Sequence, residues 1–192
     1  MNNQKFNSGI MTITAAAMSA ALITVCSWIS IPALGPFVPF TLQTFAVFVI
    51  AGLFDLKTGF ISIMVYLFMG AVGVPVFSGF KSGFAAITGP TGGYLVGFLF
   101  MIVTICLFKK IKSTSIVYLI IGMSIGLVLC YIFGTIWFYC VFAHNGDSKS
   151  FISILSICVI PFIIPDILKM TAAVILVSRV YSPLKKMGFV KA

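Results

Sequence analysis

Asp166 and Lys169 are the residues of this chain whose types and spacing could do chemistry. Both lie in an apolar run from Phe151 to Tyr181, although the 192 residues include only three acids. A charged side chain at membrane depth costs several kcal/mol unless it is paired, so such residues usually serve a function. At a spacing of three on a helix they could form a local ion pair, or they could offer acceptors and donors to a solute. Because apolar residues would serve stability at least as well, we favour the recognition of a solute.

Catalytic and metal sites lack the residues they would need. The sequence contains no Glu and one His, His144, so neither a carboxylate pair nor a Ser/His/Asp triad can form within a membrane. It has no cluster of metal ligands and no Walker A motif. We therefore predict no enzymatic activity, no metal and no cofactor, and we expect any ATP-driven step to need a partner.

Two further polar segments could complete a binding site. Thr41 and Gln43 open one apolar run, and Thr91-Gly92-Gly93-Tyr94 opens another after the glycine-rich stretch from Phe77 to Pro90. Glycines let backbone approach a ligand closely, and the N–H groups of a helix start favour an anion or a carbonyl oxygen. A tight turn entering a helix would also explain the glycines. With Phe77 and Tyr94 as apolar walls, these segments suit a small amphiphilic solute.

Composition indicates the elements that must position these side chains. The chain is 61% hydrophobic and 8% charged, and its mean hydropathy is +1.22. Soluble domains carry about 25% charged residues, so we predict an all-α integral membrane protein. Residues 1–192 should form a single compact bundle of six transmembrane helices, since each span needs roughly 20 residues. The predicted spans are 10–31, 38–54, 59–76, 91–108, 115–140 and 161–181.

The last apolar run is too long for one span and should be interrupted near Pro161 or Pro165. Proline is tolerated in the first turn of a helix, where its missing N–H would be unpaired anyway. A final helix that starts there would carry Asp166 in its first turn, near the outer surface. A solute arriving from outside could then reach the carboxylate.

The basic residues predict the orientation. Basic residues concentrate on the cytoplasmic side of membrane proteins, and with both termini inside, only Lys81 and Lys149 are left outside. The predicted cytoplasmic residues are Lys5, Lys57, Lys109, Lys110, Lys112, Arg179, Lys185, Lys186 and Lys191. Because the charges flank apolar runs, the net charge of +9 indicates membrane topology rather than nucleic-acid binding.

Small residues mark the first span as a packing surface. Pairs four apart, such as Ala16 and Ala20 or Ala17 and Ala21, form a flat face that another helix can approach closely. That helix could belong to this bundle or to a partner.

Four motifs together identify a family resemblance over nearly the whole chain. In order and spacing, the sequence resembles the biotin transporter family BioY, the substrate-binding S component of energy-coupling factor (ECF) transporters. The motifs are residues 38–44 (VPFTLQT), 70–77 (GAVGVPVF), 89–95 (GPTGGYL) and 161–169 (PFIIPDILK). The chain departs from the glycine-rich pattern expected of the family at Lys81 and Ser82.

The resemblance implies a six-helix, multi-pass protein of a prokaryotic plasma membrane that binds biotin from outside. Its partners would be a transmembrane coupling subunit and ATPase subunits, with Ala16 and Ala20 on the docking face. Asp166 would accept from the ureido N–H groups, and Lys169 or the Gly92-Gly93 turn would meet the carboxylate, although the two ends could be exchanged. The alternatives are an S component for another vitamin or an autonomous secondary transporter.

Overall fold

The computed structural model describes residues 2–31, 38–112, 115–144 and 150–186, and their secondary structure is almost entirely helical. Within these ranges, an antiparallel β-ladder joins β1 (Ser30–Ile31) to β2 (Phe40–Thr41). The α-helices are α1 (Asn2–Trp28), α2 (Gln43–Leu53), α3 (Leu56–Ala71), α4 (Phe84–Thr88), α5 (Gly92–Ile111), α6 (Ile116–His144), α7 (Phe151–Cys158) and α8 (Ile160–Lys186). Lys149 and Lys191, which enter the orientation count, lie outside the described residues.

The helices differ in their capacity to cross a membrane. Among the described residues, four helical segments are long and apolar enough, namely Gly9–Trp28, Gly92–Ile111, Ile116–His144 and Ile152–Lys185. The apolar helices α2 and α3 are shorter. At about 1.5 Å per residue, α2 extends roughly half of the 30 Å hydrocarbon core. The all-helical membrane class is confirmed, whereas the count of six spans stays a prediction.

Helix α2 forms the centre of the bundle. Its residues from Ala46 to Leu53 are all buried, and it packs against α1, α5 and α8. A helix that is apolar on every side is expected inside a bundle. The predicted span 38–54 is therefore helical only from Gln43, because the preceding residues form β2.

Lys109 of α5 caps the C-terminal end of α2. Its Nζ donates to the carbonyl oxygens of Ala51, Gly52 and Phe54 at 2.5–3.1 Å. The last carbonyls of a helix have no partner within the helix, and a cation there also complements the helix dipole. The ammonium therefore fastens α5 to the end of α2.

The last apolar run is interrupted, as predicted, but slightly earlier. Helix α7 ends at Cys158, and Val159 has the non-helical angles φ −122° and ψ −56°. Pro161 then falls in the first turn of α8, where no N–H is needed. Asp166 consequently lies in the second turn of α8 rather than in its first.

Candidate functional site

A cavity of about 480 Å³ contains most of the predicted site residues. Its lining comes from the approach to α2, from α5, α6 and α8, and from the segment that joins α3 to α5. The predicted residues that line it are Thr41, Gln43, Phe77, Thr91, Tyr94, Asp166 and Lys169. The structure thus brings together three segments that are far apart in the sequence.

Asp166 is the centre of a buried polar cluster at the cavity. It is only 2% exposed, and its Oδ1 accepts from Lys169 Nζ at 2.8 Å and from Thr44 Oγ1 at 2.9 Å. Lys169 Nζ also donates to Thr44 Oγ1 at 3.3 Å. The other carboxylate oxygen, Oδ2, accepts from the Tyr131 hydroxyl at 2.5 Å. The local ion pair therefore exists, and it is embedded in a network that faces the cavity.

Thr44 and Tyr131 are site residues that the sequence reasoning did not select. Thr44 lies within the motif at 38–44, next to the two residues that were chosen. Tyr131 stands in the middle of α6, which is otherwise strongly apolar. A phenol that is buried usually finds a hydrogen-bond partner. That rule could have linked Tyr131 to the nearest intramembrane acid.

The side-chain amide of Gln43 is held by hydrogen bonds that are separate from the Asp166 cluster. Its Nε2 donates to the fully buried Tyr66 hydroxyl at 2.6 Å. Thr41 Oγ1 donates to Gln43 Oε1 at 3.1 Å. Because the amide nitrogen is held by Tyr66, its orientation is set before a solute arrives.

Phe77 and Tyr94 form apolar walls of the cavity. Phe77 is 3% exposed and packs edge-on against Tyr66, with ring centroids 5.4 Å apart. Tyr94 lies over Gly134, where an added Cβ would come within 2.3 Å of its ring. Its hydroxyl is 3.1 Å from Thr135 Oγ1. Both rings are therefore held in place by close packing.

Gly92 and Gly93 do not line the cavity, in contrast to the prediction. A Cβ on Gly92 would lie 1.5 Å from the carbonyl oxygen of Ile87, and one on Gly93 would lie 2.3 Å from Trp137 Cβ. The Gly92 N–H is bonded to the carbonyl oxygen of Gly89 at 3.0 Å. The glycines thus allow α5 to approach its neighbours, and Gly92 offers no free donor to a ligand.

Ala16 and Ala20 are also not where the docking prediction requires them. They are 1% and 2% exposed, because this side of α1 faces α2 and α3. In this structure the pair is buried within the bundle, which favours the alternative of internal packing. The second small pair on α1, Ala17 and Ala21, is exposed.

The chemistry available at the cavity is recognition rather than bond making. The lining offers one carboxylate, two ammonium groups, several hydroxyls and an amide between apolar side chains. Within the described part of the chain, no group of three His, Cys, Asp or Glu side chains could hold a metal ion. A cavity of this kind suits a small solute with a polar end and an apolar body.

Comparisons with known proteins agree with this description. A model of the BioY family matches residues 1–186. The biotin transporter BioY of Thermotoga maritima is 39% identical over 164 residues, which is 85% of this chain and 92% of that protein. The probable biotin transporter BioY of Pyrococcus horikoshii is 38% identical over 167 residues, which is 87% of this chain and 94% of that protein.

A solved structure has the same fold. The crystal structure of the S-component for biotin from an ECF-type ABC transporter matches with a TM-score of 0.77. The two chains are 29% identical, and the match covers 95% of this chain and 94% of the other. Fold and site together define a membrane-embedded binding protein of a transport system. This chain belongs to the BioY family, so the resemblance seen in its motifs is confirmed.

Proposed function

We propose that this protein is the substrate-binding S component of an ECF transporter and that it binds biotin. The observation that carries the proposal is the buried Asp166–Lys169 cluster in an otherwise apolar cavity. The fold supports it, since it matches that of an S-component for biotin. The relatives from Thermotoga maritima and Pyrococcus horikoshii are named as biotin transporters.

The hydrogen-bonding capacity of the cluster complements the ureido group of biotin. A carboxylate can accept about four hydrogen bonds, and Asp166 accepts three from side chains of this protein. One acceptor position on Oδ2 therefore remains for a ureido N–H. Lys169 uses two of its three N–H groups on Asp166 and Thr44, so one remains for the ureido carbonyl. Both residues then serve the same end of the ligand.

The rest of the cavity suits the apolar body of biotin. Its walls include Phe77, Tyr94, Leu95, Phe98 and Phe162. A volume of about 480 Å³ falls in the usual range of small-molecule sites, roughly 300–1,000 Å³. Thr41, Gln43 and Thr91 add uncharged polar groups to the lining.

We further propose six membrane crossings with both termini in the cytoplasm, formed by one domain over residues 1–192. The distribution of basic residues supports this orientation. The cavity would then open toward the outside. Helix α2 would cross only part of the bilayer as a helix, and the extended residues before it would complete the crossing.

A transmembrane coupling subunit and ATPase subunits are the proposed partners. The docking face on α1 is reassigned from Ala16 and Ala20 to Ala17 and Ala21, which are exposed. Small side chains let helices pack closely in a membrane, where no hydrophobic driving force favours larger ones. The chain itself has no Walker A motif to bind ATP.

The test is to measure biotin binding to the purified protein and biotin uptake with and without a coupling module. We expect saturable one-site binding by the protein alone, and uptake over many turnovers only with the module and ATP. Replacing Ala17 and Ala21 by Trp should leave binding intact and abolish uptake. Preferential binding of another vitamin would contradict the biotin assignment. Uptake by the protein alone in vesicles would indicate an autonomous secondary transporter instead.

A further inference from the structure

Lys81 carries the charge at the cavity that has no counter-ion among the described residues. In the part of the chain that the structure describes, three charged side chains line the cavity, namely Lys81, Asp166 and Lys169. Asp166 and Lys169 form an ion pair with an N–O distance of 2.8 Å, which is the only salt bridge found within the described ranges. The described lining therefore has a net charge of about +1, and Lys81 is its source.

The charged residues of the lining differ in exposure. Asp166 is 2% exposed, whereas Lys81 is exposed, and we call the lining around Lys81 the rim of the cavity. Ser78 and Ser82 line the cavity beside Lys81 and add hydroxyl donors. The rim is therefore a cationic, donor-rich surface, whereas the buried Asp166–Lys169 pair is electrically balanced.

The backbone holds the rim in position. The Phe77 N–H donates to the carbonyl oxygen of Lys81 at 3.0 Å, which closes a short hairpin. Gly79 and Phe80 form its turn in the left-handed region, with φ of 68° and 57°. A phenylalanine persists in that region only where its surroundings hold it, and the Phe80 ring stacks on Trp28 with centroids 5.2 Å apart. Phe77, at the start of the hairpin, is itself a cavity wall.

We propose that Lys81 binds the carboxylate of the ligand and so fixes its direction in the cavity. The inference rests on the proposed function, because it takes biotin as the ligand. Biotin has one anionic end and one neutral polar end. A balanced pair that offers one acceptor and one donor matches the neutral ureido group, and the unbalanced cation at the rim matches the anion. Lys81 is then the residue that selects the free acid over its uncharged derivatives.

The test compares biotin with biotinamide, which keeps the ureido ring and lacks the negative charge. An exposed ion pair contributes up to about 1 kcal/mol, which is roughly fivefold in affinity. Lys81→Gln should therefore raise the Kd for biotin by roughly fivefold and leave that for biotinamide unchanged. The native preference for biotin should weaken at high salt, because exposed charges are screened. Equilibrium binding to purified protein measures the four dissociation constants, those of biotin and biotinamide for the native protein and for Lys81→Gln.

Two controls make the result specific. Lys81→Arg keeps the charge and should retain the preference for biotin, and Lys57→Gln removes an exposed charge outside the lining and should change neither constant. Equal weakening of both ligands by Lys81→Gln, or no weakening of biotin, would overturn the assignment of Lys81. Failure of the native protein to bind either ligand would instead overturn the proposed function.

Discussion

The two ends of α2 each meet a lysine from another helix, and the two lysines are satisfied in opposite ways. At the N-terminal end, Lys169 is bonded to the Asp166 carboxylate and to the Thr44 hydroxyl. At the C-terminal end, Lys109 is bonded to three backbone carbonyls. The first ammonium keeps an unused N–H beside the cavity, while the second has one carbonyl for each of its three N–H groups.

This contrast distinguishes Lys169, which can bind a ligand, from Lys109, which stabilises the fold. The carbonyl groups at a helix end can move away from Lys109 only if the end of the helix unwinds. The contacts of Lys109 must therefore be present with and without a ligand. Side-chain partners can adjust, and a ligand can add its own bonds to Lys169 and Asp166. Sequence hydropathy alone would rank Lys169 as the anomaly and Lys109 as an ordinary flanking charge.

Removing the charge of Asp166 should have the largest effect on binding. Asp166→Asn replaces one of the two acceptor oxygens by an NH2 donor and leaves the Lys169 ammonium without its counter-ion. Hydrogen bonds to charged groups contribute about 1.5–3 kcal/mol, and loss of the pair adds to that. We expect biotin affinity to fall at least about a hundredfold, as measured by calorimetry on purified protein.

The matched control for that change is Asp55→Asn. Asp55 caps α3 by accepting from the Thr58 N–H at 3.2 Å, and Asn is a comparably good N-cap residue. Affinity should therefore be unchanged in this variant. Native affinity in Asp166→Asn would remove the carboxylate from the proposed site.

Lys109→Met should lower the stability of the protein and leave its affinity for biotin nearly unchanged. Methionine keeps an unbranched apolar side chain, but the carbonyls of Ala51, Gly52 and Phe54 lose the bonds that Lys109 makes to them. Unsatisfied buried acceptors cost about 1–3 kcal/mol, so we expect destabilisation by about 2 kcal/mol, seen as a lower Tm in detergent. Biotin affinity should stay within about twofold. Lys110→Met, at the exposed neighbouring position, should change neither quantity, and an equal fall in Tm there would refute the cap.

The residues that could be selected from the sequence are those whose polar or charged side chains are energetically costly in an apolar run. An intramembrane acid with a basic residue three positions later is expensive enough to stand out, and Thr41, Gln43 and Tyr94 open their runs as polar residues in apolar surroundings. The roles of glycine and alanine were not predictable in the same way. Gly92 serves close packing where a ligand contact was predicted, and the rotation of α1 that buries Ala16 depends on neighbours that a uniformly apolar helix does not reveal.

Of the two changes to the Asp166 cluster, Tyr131→Phe should have the smaller effect on biotin affinity, and it changes the cluster more selectively. The change removes only the hydroxyl that donates to Asp166 Oδ2, and the ring remains. If that bond orients the carboxylate for the ligand, affinity should fall by roughly tenfold, the equivalent of about 1.4 kcal/mol for one charge-assisted hydrogen bond. Tyr118→Phe, on the same helix but outside the cavity lining, should leave affinity unchanged. Tighter binding in Tyr131→Phe would mean that the phenol competes with the ligand for Oδ2, so that biotin must break the Tyr131–Asp166 hydrogen bond in order to bind.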